Sequence, residues 1–171
     1  ALWGSGLDTA LHSAQLHTLL RAAGATRVQV NVDDAEVAAA MLRITTFDSA
    51  VSAVVSVWTD PGTDPEPISA LLAAISQRSA GWEVEETVRL VPPVAENGVR
   101  TTALAQIGFL RIPAELDPAD WLQIWQGQHT TVAIDTQDTF GYVQNRVLRT
   151  VHGTERVDAV VHLGDYIYEY G

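Results

Sequence analysis

Val51-Ser-Ala-Val-Val-Ser-Val-Trp-Thr-Asp60 and Val157-Asp-Ala-Val-Val-His-Leu-Gly-Asp165 are two versions of one phrase, and their agreement decides how the chain is read. Each is preceded by a second matching stretch, Arg27-Val-Gln-Val-Asn-Val32 in the first half and Tyr142-Val-Gln-Asn-Arg-Val147 in the second. Further upstream, Leu7-Asp8 opens a helical stretch, as Leu116-Asp117 does later. Three matches in the same order indicate an internal duplication. The first copy continues past Asp60 through a helix and another strand. Only six residues follow Asp165, so the second copy is expected to be truncated.

Hydrophobic spacing fills in the elements between these landmarks. Leu7, Leu11, Leu16, Leu19 and Leu20 predict one helix over 8–23, with Asp8 as N-cap and Gly24 as its stop. In 26–32, Val28, Val30 and Val32 alternate with Arg27, Gln29 and Asn31, the pattern of a strand buried on one side only. Val51 to Trp58 reads as a central strand, 68–79 as a short helix after Pro61, Pro65 and Pro67, and 82–91 as a further strand. Residues 93–100 read as a linker between copies. In the second half, 102–112 is a strand, Asp117-Pro118 starts a helix, and 140–151 and 157–163 are strands. Strand, helix, strand, strand, helix, strand is the ferredoxin-like order. The expected fold class is therefore α+β, with a ferredoxin-like repeat over 1–92, the linker, and an incomplete one over 101–171. Each sheet would carry helices on one face, and the two free faces would pack together as an α/β barrel.

Composition narrows the function. Apolar residues make up 47% of the 171 and charged residues 18%, which suits a globular chain with a sizeable core. A formal net charge of −11 with ten scattered basic residues argues against nucleic acid, whose phosphates need clustered Lys and Arg. No run has the roughly 18–20 apolar residues of a membrane span. The opening Ala-Leu-Trp-Gly has neither a Met nor the basic and apolar regions of a signal peptide, so an earlier start and a cytoplasmic location are expected. With no Cys, disulfides, thiolate nucleophiles and Cys-bound zinc are excluded.

The segment Asp117-Pro-Ala-Asp-Trp-Leu-Gln-Ile-Trp-Gln-Gly-Gln-His129-Thr-Thr-Val-Ala133, followed by Phe140-Gly-Tyr-Val-Gln-Asn145, resembles the EthD family of the dimeric α/β-barrel superfamily. The likeness covers about residues 1–161. It implies a barrel enclosing a pocket for a small hydrophobic, often aromatic or polyketide-like molecule, and no cofactor. The tail Val160-Val-His-Leu-Gly-Asp165-Tyr-Ile-Tyr168-Glu-Tyr-Gly171 instead looks like the metal-binding segment of the alkaline phosphatase D family, where the positions of Asp165 and Tyr168 are ligands. The Cys ligand and the later ligands of that family have no counterpart here, so two residues alone do not form its centre.

Within that frame the candidate catalytic residue is His129, an imidazole able to give and take protons near neutrality. It shares a helical stripe with Trp121 and Trp125, expected to face the barrel interior as ligand-stacking walls or as plain packing. Tyr142 and Asn145 are pocket candidates from the following strand; alternation allows only one of the pairs Tyr142/Gln144 and Val143/Asn145 to face inward. The first copy has no such stripe, and His12 and His17 fall on different sides of their helix. The acidic clusters Asp33-Asp34-Glu36 and Glu83-Glu85-Glu86 read as solvated. The expected activity is binding of a small aromatic metabolite with cofactor-independent acid/base chemistry of the cyclase, decarboxylase or monooxygenase type. The alternatives are a non-catalytic accessory protein with the same fold and, on the tail alone, a fragment related to a metal-dependent phosphoesterase. A homodimer is expected, to cover the edge left by the missing strand.

Overall fold

The computed structural model describes residues 1–38, 40, 46–93, 96–101, 103–136 and 139–164, together with the backbone of Tyr168–Tyr170. The described elements run β1 (Leu2–Trp3), α1 (Leu7–Leu11), α2 (Ala14–Ala22), β2 (Ala25–Val32), a 3-10 turn (Ala35–Val37), β3 (Ala53–Thr59), α3 (Glu66–Ala74), β4 (Arg78–Ser79) and β5 (Gly81–Leu90). They continue with β6 (Ala105–Leu110), α4 (Pro118–Ile124), a π turn (Trp125–His129), α5 (Thr130–Thr136), β7 (Tyr142–His152), β8 (Ala159–Gly164) and β9 (Tyr168–Tyr170). The fold is mixed α+β.

Local chemistry accounts for most boundaries. Asp117 caps α4, its Oδ1 accepting from the Ala119 N–H at 2.8 Å, with Pro118 in the first turn where no N–H is needed. The single helix expected over 8–23 is two. Ser13 restarts the chain as α2 by accepting from the Leu16 N–H at 3.1 Å. The cap expected at Asp8 falls to Gly6, at φ 73°, leaving Asp8 inside the first turn of α1. Gly24, at φ 103°, turns the chain sharply out of α2 into β2, a conformation that L side chains avoid.

The strands form one sheet of order β4-β1-β3-β2-β9 and another of order β5-β7-β8-β6, with every adjacent pair antiparallel. In the first sheet Val28, Val30 and Val32 pack with Leu11, Leu16 and Leu20 of α1 and α2. In the second, Tyr142, Ala159 and Val161 pack with Trp125 and Ala133 of the helical segment after α4. The remaining faces meet: Trp3 of β1, Trp82 of β5 and Phe109 of β6 gather around Phe47. Trp58 of β3 also donates from Nε1 to Glu86 Oε1 of β5 at 3.3 Å. Two sheets thus pack face to face with helices outside.

Two expectations change here. The polar side of β2 does not face solvent: Gln29 is 0% and Asn31 5% exposed, because the second sheet covers that face. The fourth place in the second sheet is taken from the first half. β5 follows β4 after Ala80 alone and pairs with β7 from Trp82↔Thr150 to Leu90↔Tyr142. Hydrogen bonding therefore crosses the 93–100 segment. A bidentate ion pair adds to it, Arg100 reaching Asp34 at 2.7 and 3.1 Å. That guanidinium holds the Asp34 carboxyl below its ordinary value, so this carboxylate is a structural anchor and not part of a solvated cluster. Glu83 and Glu85 are likewise paired, with Arg149 at 2.7 Å and Arg146 at 2.9 Å. No helix among the described residues is long and apolar enough to cross a membrane.

Candidate functional site

The helix after Asp117 presents Trp121 at one turn and Trp125 at the next. Their rings stack at 5.2 Å between centroids with 23° between planes. Trp125 is buried against Tyr142 and Ala159 of the second sheet. After Trp125 the helix widens into the π turn, and His129 emerges at its end, exposed. Together Leu110, Trp121, Ile124, Trp125, His129 and Val161 line an open cleft of about 230 Å³, walled by carbon except at the imidazole.

The π turn has an identifiable support. A π turn disrupts the usual i to i+4 ladder and occurs often at functional sites. Here the Trp125 carbonyl accepts from Gln144 Nε2 at 3.1 Å and from Thr130 Oγ1 at 3.1 Å. Gln144 Nε2 also donates to Thr130 Oγ1 at 3.0 Å, and Arg89 Nε donates to Gln144 Oε1 at 3.0 Å. Gln144 is 1% exposed, so this chain of bonds fixes the stacked pair from beneath. The residue that positions the site is one the sequence reading had left undecided. Its signal was Gly127 inside Trp-Gln-Gly-Gln-His, a poor helix residue where regular helix was expected.

Four of the five candidate side chains come together and one does not. Trp121, Trp125, His129 and Tyr142 lie on the helix side of the second sheet. The stripe expected inside the barrel is therefore between helix and sheet. Tyr142 sits below Trp125, and burial raises its phenol pKa, opposed by Gln144 and Thr130 close by. Asn145 points the other way, toward the space between sheets. Its cross-strand partners there are Glu86 and Val160. His12 and His17 stay apart: His12 Nδ1 lies 3.0 Å from Asp8 Oδ1, while buried His17 places Nε2 2.7 Å from the Leu11 carbonyl. Asp165 lies outside the described residues, and Tyr168 is described only as backbone, opposite Val30. Among the described residues no group of three metal-type side chains forms.

A second polar group lies between the sheets. Gln29, Asn31, Asn145 and His162 are all buried there, and burial pushes His162 from 6.5 down to about 4. Both polar side-chain atoms of Gln29 are without a hydrogen-bond partner. A buried amide with no partner costs about 1–3 kcal/mol. Gln29→Met, which keeps the length and removes the amide, is expected to raise stability by about 1–2 kcal/mol in urea unfolding. A fall instead would mean that a bound water or ligand satisfies the amide.

No family model, no curated protein and no solved structure matches this chain.

Proposed function

We propose that the chain is an EthD-like α/β-barrel protein whose helix-side cleft binds a small, flat, hydrophobic molecule. The stacked Trp121/Trp125 pair beside one exposed imidazole is the observation that carries this reading. Two indoles offer an apolar wall that favours another ring, with about 0.5–1.5 kcal/mol from stacking beyond simple burial. A volume of about 230 Å³ suits one or two fused rings and not a long chain. His129 at the rim has no other basic or acidic side chain lining the cleft with it, so it is the group placed to exchange a proton with a phenol, enol or carbonyl of the ligand. That is acid/base chemistry without a cofactor.

The strand orders support the fold part of the proposal. The first four strands have the order β4-β1-β3-β2, and β6-β8-β7 repeats the inner three places of that order. This is the arrangement expected of two ferredoxin-like copies, the second lacking its last helix and strand. The continuous stretch from Arg78 to Leu90, shared between the sheets, supports closure toward a barrel.

2-Naphthol is a suitable probe, since it is flat, fluorescent and carries one exchangeable proton. Trp121→Ala is expected to weaken its binding by about tenfold or more. His129→Ala is expected to leave binding within a few fold and to lower turnover of an enolisable aromatic substrate by about 100-fold or more. Unchanged affinity in Trp121→Ala and unchanged turnover in His129→Ala would together remove the site. Binding through the tryptophans with no turnover by the unsubstituted protein would favour a non-catalytic carrier with the same cleft.

A further inference from the structure

Strand β1 has only two residues, and its register leaves an opening beside it. Leu2 pairs with Ala53 of β3 on one side and with Ser79 of β4 on the other. Ala1 and Ala80 exchange both backbone hydrogen bonds, at 2.8 and 2.9 Å, as a hydrogen-bonded antiparallel pair does. Past that point the flanking strands continue while nothing described lies between them. β3 runs on to Thr59 paired with β2 alone, and β5 runs on to Leu90 paired with β7 alone. Both turn unpaired N–H and C=O groups toward the same opening.

Exposed edges are ordinarily guarded by Lys, Pro or outward charge. Gly81–Leu90 contains neither Lys nor Pro, and Val84 and Val88 stand 38% and 46% exposed. Its glutamates are already engaged, Glu83 and Glu85 with arginines of β7 and Glu86 with Trp58. The Trp58 to Glu86 bond crosses from β3 to β5. Two inter-strand spacings come to about 10 Å, which an indole and a glutamate side chain span together.

We propose that the opening between β3 and β5 is a strand-acceptor site, fitted by one extended segment joined to the Ala1 amine and running antiparallel to both neighbours. The registers place the first residue of such a segment opposite Val55 and Gly81, on the apolar side shared with Leu2. Alternate residues then face Val55 and Val57 or the space between the sheets, so a pattern of valine and threonine matches the site. A second copy is a poorer occupant, because Ala1 already holds the head of the opening and an intruding strand would stop against it.

The test attaches a short alternating valine/threonine segment to Ala1 and follows amide hydrogen exchange. Amides of 54–59 and 81–90 that exchange freely in the unextended protein are expected to slow by about tenfold or more, with the extended protein remaining monomeric by light scattering. An equally long segment with proline at alternate positions should give no protection. The proposal is overturned if the valine/threonine segment leaves exchange unchanged, or if the proline segment protects equally. It is also overturned if those amides are already protected in a dimer of the unextended chain, since a second copy would then fill the opening.

Discussion

Phe47→Ala is expected to destabilise the protein by about 3–5 kcal/mol, the largest effect of any change considered. Phe47 stands where the two sheets meet. Its ring lies 5.2 Å from Trp3 of the first sheet, 5.1 Å from Phe109 and 6.5 Å from Trp82 of the second. Truncation removes all three contacts and leaves a cavity bounded by rings fixed on rigid strands, which relax little into it. Trp3 and Trp82 are also tethered through their indole N–H groups to the carbonyls of Ser49 and Glu155, at 3.2 Å each. For a chain of this size the loss corresponds to a fall in Tm of roughly 6–20 °C. A change below about 1 kcal/mol by urea unfolding would mean that the faces do not depend on this contact.

The second large effect is a pH dependence carried by His162. The side chain sits on β8 between Ile107 of β6 and Val143 of β7, on the face covered by the other sheet. Burial there brings its pKa to about 4 against 6.5 for an ordinary imidazole. Between those values the unfolded chain takes up a proton that the folded chain refuses. The contribution is therefore fully present above pH 6.5 and is lost as pH falls toward 4, by about 3 kcal/mol in all. His162→Gln is expected to flatten the stability profile across that window by this amount relative to the parent, whatever its own stability at neutral pH. Parallel profiles for the two proteins would show that His162 is protonated at no cost.

What could be read directly from the sequence was local. The alternation of Val28, Val30 and Val32, the β-branched run after Val51 and the Asp117-Pro118 cap each depend on residues a few positions apart, and each element is where its pattern put it. The unread parts depend on distant segments. Gln29 and Asn31 look solvent-facing in isolation, and only the second sheet makes that face an interior. β5 pairs with β7 across more than fifty residues, and no pattern inside either strand names the other. The site was legible as a set of residues but not as a place. Trp121, Trp125 and His129 share a stripe by spacing alone, yet the wall that stripe faces is set by the packing of helix on sheet. The π turn escaped notice because its support, Gln144 on the Trp125 carbonyl, comes from another element.

The central claim is that the cleft between α4 and the second sheet holds the ligand. Residue-resolved NMR during titration with 2-naphthol tests it most directly. Saturable shifts of the Trp121 and Trp125 indole N–H signals and of the His129 ring, with the signals between the sheets unmoved, are the predicted result. Shifts centred on Gln29, Asn145 and His162, with the two indoles and His129 unchanged, would contradict it and place the ligand between the sheets.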